Sequence, residues 1–415
     1  MSSLCGCCSS EAEAAPSSLA IKKDADAGAG AGPAEEQMSR AGAASAGRRS
    51  SKAPQAAASG AVTGAGGANG AGNRDVMFQP LRLGASGAVK LSHRVVLAPL
   101  TRCRASEPEL APRDMHVTYY SQRASPGGLL ITEATAISPE GLGYKSVPGI
   151  WTAHQVGEWR KVTAAVHAKG GLISMQLWHV GRVSHPAFGE HPLVKDSGLP
   201  LPSVSSSAVA LEGLTSVFGS AERVPNAVPR ALRTDEMPRL VADYRRAARN
   251  AMSAGFDIVE VHAAHGYLLE QFLMAPNQRT DQYGGSIENR CRLLLEVVAG
   301  VVAEVGDAGR VAVRLSPPNT DAGEPREAGD FEDPDALYAH AIKALDAFGL
   351  AYLLLTEPRW FGGDDGGKGW DMPFFLPKKF RSLYKGPMFG SGGFTPINAR
   401  QALDAGLYDG VAFGR

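Results

Sequence analysis

The sequence predicts an α/β protein whose folded part is a closed (β/α)₈ barrel of the TIM type. From about residue 95 onward, short apolar segments alternate with amphipathic helical segments, a pattern typical of a parallel sheet covered by helices. Eight such apolar segments occur, and that number favours a closed barrel over an open doubly wound sheet. The length of 415 residues accommodates a barrel of this type, which typically needs about 250 residues, together with an extension.

The first 74 residues differ in composition from the rest of the chain. They are rich in Ala, Gly and Ser without apolar periodicity, so we expect a disordered low-complexity extension at 1–74 and one folded domain at 75–415. The basic run Arg48–Lys52 is compatible with a plastid transit peptide, whereas the glutamates of the segment argue against one. The compartment therefore stays open between cytoplasm and plastid. Cys5, Cys7 and Cys8 are interpreted as part of a flexible tail rather than as an acylation or metal site.

Composition limits the classes of function. Lys plus Arg and Asp plus Glu both number 42, and the resulting formal net charge of zero gives no sign of nucleic acid or an anionic membrane as a partner. No apolar run is long enough to span a bilayer. Beyond the tail only Cys103 and Cys291 remain, so the folded part is predicted to hold no disulfide framework and no iron–sulfur or zinc site. This cysteine usage fits a reducing compartment.

The elements of the barrel are predicted in order from near Val76. Two apolar segments flank Gly84–Gly87 and predict a β-hairpin that closes the barrel floor. The eight predicted barrel strands are Val95–Ala98, Leu129–Thr132, Ile173–Leu177, Ile258–Val261, Val311–Leu315, Tyr352–Thr356, Met388–Phe389 and Gly410–Phe413. Predicted helices between them include Glu158–Lys169, Asp235–Ala254 and Asp335–Phe348. Thr234 is predicted to cap the second of these helices. Pro186–Arg230, rich in Pro, Ser and Gly, is predicted to be an elaborated loop of the kind that often forms a lid or a substrate wall.

The stretch after the fourth predicted strand carries the most distinctive chemistry. It places His262, His265 and Tyr267 just where the strand ends. Chemistry in an α/β barrel sits at the C-terminal ends of the strands, and two imidazoles and a phenol within one turn can converge on a single acceptor atom. The spacing differs from the H-E-x-x-H of a metalloprotease, and no nearby carboxylate or cysteine is an obvious third ligand. The pair is therefore interpreted as hydrogen-bond donors, and no metal is expected.

Together with the turn-rich segment Asn277–Arg290, this stretch resembles the Old Yellow Enzyme family, the FMN-dependent ene-reductases that include the plant 12-oxophytodienoate reductases. The resemblance covers roughly 75–415. It implies an FMN-binding barrel, NAD(P)H as reductant and an α,β-unsaturated carbonyl compound as the small-molecule substrate. It also implies that His262 and His265 hold the substrate carbonyl oxygen while Tyr267 protonates the α-carbon. The His-His pair is similar to that of the oxophytodienoate reductases, whereas other family members carry His-Asn.

Under this resemblance, the segments after the first two strands are candidates for flavin contacts. Pro99, Leu100 and Thr101 lie in a segment similar to the family's flavin-contacting segment, and the Thr101 hydroxyl could donate to flavin O4. A Pro-containing turn that merely starts a loop explains this segment equally well. Small Ala134 stands where the family packs backbone against the ring system.

Polar residues within the third and fifth strands are further candidates. Gln176 and Trp178 share one face of the third strand by period-2 alternation. Gln176 could pair with the pyrimidine edge of the flavin, and Trp178 is either a wall of the substrate site or a core aromatic. Arg314 interrupts an apolar strand, and because an unpaired buried guanidinium is costly it should have an anionic or acceptor partner. Near flavin N1 and O2 it would stabilise the reduced, anionic flavin; a structural salt bridge is the alternative.

The segments after the last two strands predict a phosphate site. Ser391, Gly392 and Gly393 follow the seventh strand, and Gly414 and Arg415 follow the eighth. Barrels frequently bind phosphate at these two loops through backbone amides and a helix N-terminus. Gly permits close approach and Arg415 would supply the counter-charge, so the FMN phosphate is predicted to lie here.

Several alternatives remain open from the sequence. The related dienoyl-CoA and trimethylamine-type flavoenzymes add a cysteine cluster and further domains, which this chain lacks. An aldolase- or isomerase-type barrel would need a lysine or carboxylate at a strand end, and none stands out. A flavin-binding relative with impaired catalysis is the third alternative, because family members normally continue beyond the position of Arg415 with a further segment and a closing helix. Gly362–Lys368 matches G-x-x-x-x-G-K, but Gly369 replaces the Ser or Thr that a P-loop needs. Self-association, the physiological enone and the choice between NADH and NADPH are left open.

Overall fold

The predicted barrel is present in a computed structural model of the chain, which describes residues 75–198, 203–217, 219–220, 222–318, 333–359 and 373–414. The predictions made for residues 1–74, for Gly362–Lys368 and for Arg415 lie outside these ranges.

The described residues form fifteen strands, and eight of these run parallel and close into a barrel. In chain order the strands are β1 (Leu81–Leu83), β2 (Val89–Leu91), β3 (Val95–Leu97), β4 (Leu129–Ile131), β5 (Thr135–Ala136), β6 (Leu172–Trp178), β7 (Val204–Ser205), β8 (Leu214–Ser216), β9 (Arg223–Pro225), β10 (Arg230–Ala231), β11 (Ile258–His262), β12 (Val311–Leu315), β13 (Tyr352–Thr356), β14 (Met388–Ser391) and β15 (Gly410–Phe413). The barrel runs β3-β4-β6-β11-β12-β13-β14-β15, and β15 pairs back to β3. The eight predicted strands are thus confirmed, each within two residues of its predicted bounds.

Period-2 alternation along the strands separates two apolar cores. On β11, Val259 and Val261 pack with the surrounding helices, whereas Ile258 packs inside the barrel with Tyr352 and Phe389. Every second residue of this strand from Ile258 to His262 therefore faces the barrel interior, and the residues between them face the helices. This alternation decides which side chains of a strand can reach the site.

The predicted hairpin closes one end of the barrel. β1 and β2 pair antiparallel, and Leu83 and Leu91 are fully buried in the same apolar cluster as the strand interiors. The Gly84 N–H donates to the carbonyl of Ala351, which lies just before β13. A Cβ on Gly84 would stand 2.4 Å from Gly309 Cα, so only glycine permits this approach. The hairpin does not cover the opposite end, where the strands finish and where barrel enzymes carry their active sites.

Helices surround the barrel. They are α1 (Asp114–Ser121), α2 (Ala153–His167), α3 (Pro192–Lys195), α4 (Met237–Ser253), α5 (Leu268–Leu273), α6 (Ile287–Val305), α7 (Pro334–Asp346), α8 (Leu376–Phe380) and α9 (Pro396–Asp404). Within the described ranges no helix is long and apolar enough to cross a membrane.

Two helix starts differ from prediction. α2 begins five residues before the predicted Glu158, because Thr152 and Gln155 form a capping box whose signal was not used. The predicted N-cap at Thr234 is wrong. Thr234 instead opens a 3₁₀ turn that precedes α4, and its hydroxyl donates to Asp281.

The segment between β6 and α4 is an excursion, as predicted, but it contains short regular elements. β8 and β9 form an antiparallel hairpin, and β10 pairs parallel with β7. The Nζ of Lys145 donates to the carbonyl of Ser220, which ties this segment to the loop that follows β5. The excursion is thus attached to the end of the barrel where the strands finish.

Candidate active site

A tight turn after β11 fixes the direction of His265. This residue has φ 60°, a left-handed conformation that costs a non-glycine residue about 1–2 kcal/mol. Its N–H donates to Ser316 Oγ at 2.8 Å, and that hydroxyl donates to Glu270 Oε1 at 2.7 Å. The other oxygen of Glu270 accepts from the Gly266 N–H, and Tyr338 donates to Oε1 at 2.6 Å. The hydrogen bonds that the fully buried Glu270 side chain accepts hold the turn in place and offset its backbone strain.

The turn brings His262, His265 and Tyr267 together, as the sequence predicts. The two imidazole centroids lie 5.3 Å apart with the rings nearly perpendicular, at 84°. The Tyr267 ring lies 5.2 Å from that of His262, at 77°. All three side chains are at most 8% exposed. The group is therefore a compact donor cluster in a largely dry environment.

His262 is held in its neutral form. Burial lowers its pKa well below the ordinary value of 6.5, and the cationic Arg314 lowers it further. Its Nδ1 is buried and has no hydrogen-bond partner among the residues that the structure describes. A neutral imidazole offers one N–H donor and one acceptor, so this side chain has hydrogen-bonding capacity left for a ligand.

An aromatic wall lies beside these three residues. The Trp178 ring stacks on Tyr144 with centroids 5.3 Å apart and meets Tyr267 edge-on at 4.8 Å. The phenol oxygens of Tyr144 and Tyr267 are 3.2 Å apart. Ala134 is buried in the same cluster. Trp178 thus borders the candidate site rather than the helix-facing core, and Tyr144 joins it although the sequence did not single it out.

Gln176 and Arg314 both point into the barrel. Gln176 Nε2 donates to Glu260 Oε1 at 2.7 Å, so one amide N–H has a protein partner. Arg314 Nε donates to Thr356 Oγ1 at 3.2 Å, and Arg314 Nη2 donates to Ser391 Oγ at 3.4 Å. These acceptors are hydroxyls, and burial lowers the pKa of Arg314 while the charge of Glu260 opposes that shift. The expected acceptor partners of Arg314 therefore exist.

The glycine-rich loop after β14, the predicted phosphate site, holds two glycines in the left-handed region. Gly392 and Gly393 have φ of 94° and 65°. A Cβ on Gly392 would stand 2.7 Å from the carbonyl oxygen of Glu357. The carbonyl of Gly393 accepts from Arg359 Nη2 at 3.1 Å, and Thr395 caps α9 immediately afterwards. Two glycines of positive φ permit the close backbone approach that a phosphate site at this loop would need.

The segment after β3 meets the end of β15. Pro99, Leu100 and Thr101 are half-buried, and Ala98 N–H donates to the carbonyl of Phe413 at 2.9 Å. A Cβ on Gly414 would stand 3.1 Å from Leu100 Cδ2, so glycine suits the close contact. The two predicted flavin segments therefore border each other, and Arg415 lies beyond the described residues.

Metal binding gains no support from the geometry. No group of three or more His, Cys, Asp or Glu side chains that could hold a metal ion occurs in the ranges that the structure describes. His265 Nε2 instead lies 3.1 Å from Thr356 Oγ1.

Three residues near the site escaped the sequence analysis. Tyr144 lies in an irregular loop, where no periodicity predicts which side chain points inward. Thr356 ends β13 and contacts both His265 and Arg314. Glu260 could have been found, because period-2 alternation places it on the same face of β11 as His262.

This arrangement fits FMN. A buried guanidinium whose hydrogen-bond acceptors among the described residues are hydroxyls suits an electron-rich ring edge, and a loop with two glycines of positive φ permits close approach to a phosphate. A family model described as the NADH:flavin oxidoreductase / NADH oxidase family matches residues 76–415. The chain belongs to this family.

Relatives and solved structures place it in the Old Yellow Enzyme branch. The putative 12-oxophytodienoate reductase 11 of Oryza sativa subsp. japonica is 43% identical over 333 residues, 79% of this chain and 84% of the relative. The 12-oxophytodienoate reductase 2 of Arabidopsis thaliana is 42% identical over 335 residues, covering 79% and 83% of the two chains. The Old Yellow Enzyme homologue of Zymomonas mobilis superposes with a TM-score of 0.70 at 40% identity, over 82% of this chain and 88% of the other. The chain is thus an FMN-dependent oxidoreductase on a TIM barrel, as predicted.

Proposed function

We propose that this protein reduces the C=C bond of α,β-unsaturated carbonyl compounds with NADH or NADPH as the source of hydride. The observation that carries the proposal is the donor cluster of His262, His265 and Tyr267 beside an aromatic wall. Two similar proteins add support. Plant relatives are named for 12-oxophytodienoate, and a 43% identical morphinone reductase, matched at a TM-score of 0.70 over 82% of this chain and 86% of that one, is described in complex with tetrahydroNAD.

His262 and His265 would bind the substrate carbonyl. FMN held at this site would supply the hydride for the β-carbon of the substrate, with NADH or NADPH as its source. As negative charge builds on the carbonyl oxygen, two N–H donors aimed at it stabilise that charge, typically by a few kcal/mol per donor in a dry site. The neutral state of His262 suits this role, because a neutral donor needs no counter-ion when the site is unoccupied by substrate.

Tyr267 would donate the proton that completes the reaction. Its hydroxyl lies 3.2 Å from that of Tyr144, so a proton lost to the substrate α-carbon can be replaced through a neighbouring hydroxyl. Trp178 and Tyr144 would form the wall against which the enone lies, and they exclude water from the developing charge.

The remaining candidates would hold the cofactor. Gln176 and Arg314 face the interior where the pyrimidine edge would lie, with Pro99, Leu100, Thr101 and Ala134 along the ring system. The proposed phosphate group comprises Ser391, Gly392, Gly393, Gly414 and Arg415.

A visible spectrum of the purified protein tests the function directly. We expect flavin absorption bands that bleach when NADPH or NADH is added without oxygen and return when cyclohexenone is added. Bands that bleach but do not return with any enone would contradict ene reduction while leaving the flavin assignment intact. A colourless protein that takes up no added FMN would overturn the site as a whole.

Binding of phenols tests the two histidines. Phenolates mimic a carbonyl oxygen that carries negative charge and give long-wavelength charge-transfer bands with oxidised flavin. Replacing either His262 or His265 with Ala should weaken phenolate binding about 10- to 100-fold, the value of one hydrogen bond to a charged group. Spectral titration of p-chlorophenol into each variant measures this. His167→Ala, at the exposed C-terminal end of α2, is the matched control. Unchanged phenolate binding together with a loss of bound zinc would support a metal site instead.

A further inference from the structure

Glu260 is a buried carboxylate that the proposed reaction does not use. It lies on β11 with 0% exposure, facing the barrel interior. The strand register places it level with Gln176 on one neighbouring strand and with Ala312 on the other. His262 and Arg314 are paired two positions further along, at the site end of the barrel. Glu260 therefore lies level with Gln176 and two positions below Arg314, both of which are proposed to contact the flavin.

The carboxylate is bonded through both of its oxygens. Oε1 accepts from Gln176 Nε2 at 2.7 Å, and Oε2 accepts from the Tyr352 hydroxyl at 2.8 Å. Tyr352 also lies 3.3 Å from Ser174 Oγ. Because Nε2 of an amide can only donate, its bond to Glu260 fixes which way the Gln176 carboxamide points. The Gln176 oxygen is therefore turned away from Glu260.

The charge of Glu260 is coupled to that of Arg314. Burial raises the pKa of Glu260, and Arg314 opposes that rise; burial lowers the pKa of Arg314, and Glu260 opposes that fall. Tyr352 and Gln176, the other groups that face this carboxylate, are neutral. A buried charge in a low-dielectric interior acts over a longer range than a charge in water. Each group thus favours the ionised form of the other, against the effect of burial.

We propose that Glu260 is a positioning residue for FMN, which orients the carboxamide of Gln176 and offsets part of the charge of Arg314. This inference rests on the proposed placement of Gln176 and Arg314 at the flavin pyrimidine edge. Arg314 favours the reduced flavin, which carries one more negative charge than the oxidised form, and Glu260 moderates that preference. The carboxylate thereby lowers the reduction potential of the bound flavin.

Two substitutions separate orientation from charge. Glu260→Gln removes the charge but keeps an oxygen that can accept from Gln176. It should raise the flavin midpoint potential so that the reduced-to-oxidised ratio at a fixed poise rises about tenfold, which is about 30 mV for a two-electron couple. Glu260→Asp keeps the charge but draws it back from Gln176. It should weaken FMN binding several-fold and leave the potential near that of the parent protein.

Potentials are measured on FMN-saturated protein by reductive titration with a reference dye, and FMN affinities by fluorescence titration. Glu236→Gln is the control, because Glu236 is also a buried, ion-paired carboxylate but lies outside the barrel. Neither measurement involves an enone, so failure of ene reduction leaves the test standing. A potential for Glu260→Gln that matches Glu236→Gln would overturn the charge role. Parental FMN affinity in Glu260→Asp would overturn the orienting role, and this measurement does not depend on whether Glu260→Gln folds.

Discussion

Replacing Tyr267 with Phe should slow the enone half-reaction about 10²- to 10⁴-fold while reduction of the bound FMN by NADPH stays nearly intact. The phenol is the general acid in the proposed reaction, and only the second half-reaction consumes its proton. The ring can remain in place without the hydroxyl, because it packs edge-on against Trp178 and His262. A loss of proton donation is therefore separable from a loss of shape.

Stopped-flow absorbance follows the two half-reactions separately. Tyr283→Phe is the control, because that hydroxyl bonds Glu296 on α6, outside the barrel. Tyr144→Phe is the sharper comparison, since the two phenol oxygens are 3.2 Å apart. A larger loss at Tyr144 than at Tyr267 would assign the proton donor to Tyr144. Equal slowing of both half-reactions by Tyr267→Phe would indicate a damaged site and remove the assignment.

The barrel could be predicted because its strands are buried on both faces. Such strands are continuous apolar runs, and Val311–Leu315 is recognisable as a strand for this reason even though Arg314 interrupts it. The same interruption made Arg314 a candidate for a flavin contact, with a structural salt bridge as the alternative. The same reasoning applies to Glu260, a charged residue in the apolar strand β11. Period-2 alternation along β11 predicts that Glu260 faces the barrel interior with His262.

The features of the site that could not be predicted from the sequence lie in irregular segments and depend on contacts with distant residues. Tyr144 enters the site through a loop whose course depends on tertiary contacts, including a stacking contact with Trp178. The positive φ of His265 depends on Ser316 and Glu270, which come from β12's end and from α5. Thr234 shows the same dependence. Its hydroxyl is suited to capping a helix, but it donates to Asp281, a carboxylate distant in the sequence. Local propensity predicts these positions poorly when a long-range polar partner is available.

The loop after β14 supports a second large effect, on cofactor retention. Gly392 has φ 94°, and a Cβ there would stand 2.7 Å from the carbonyl oxygen of Glu357. That residue cannot easily give way, because its side chain accepts from the Tyr408 hydroxyl and from the Phe375 N–H. Gly392→Ala must therefore displace the loop itself. Backbone strain of about 1–2 kcal/mol and overpacking of about 1–3 kcal/mol together predict FMN binding weakened about 100-fold.

Gly406→Ala is the matched control for this loop. Gly406 also has a positive φ, of 66°, but an added Cβ there meets nothing within 4 Å. Both variants carry the left-handed strain, and only Gly392→Ala carries the collision beside the proposed phosphate site. After gel filtration, Gly392→Ala should retain less flavin than Gly406→Ala. Its FMN dissociation constant should also be higher. Bound ligand stabilises the folded state by mass action, so added FMN should raise the melting temperature of Gly406→Ala at lower concentrations than that of Gly392→Ala. Stoichiometric FMN in Gly392→Ala, with the parental dissociation constant, would place the phosphate elsewhere on the barrel. An equal loss of FMN in both variants would also count against this loop, because strain alone would then account for the effect.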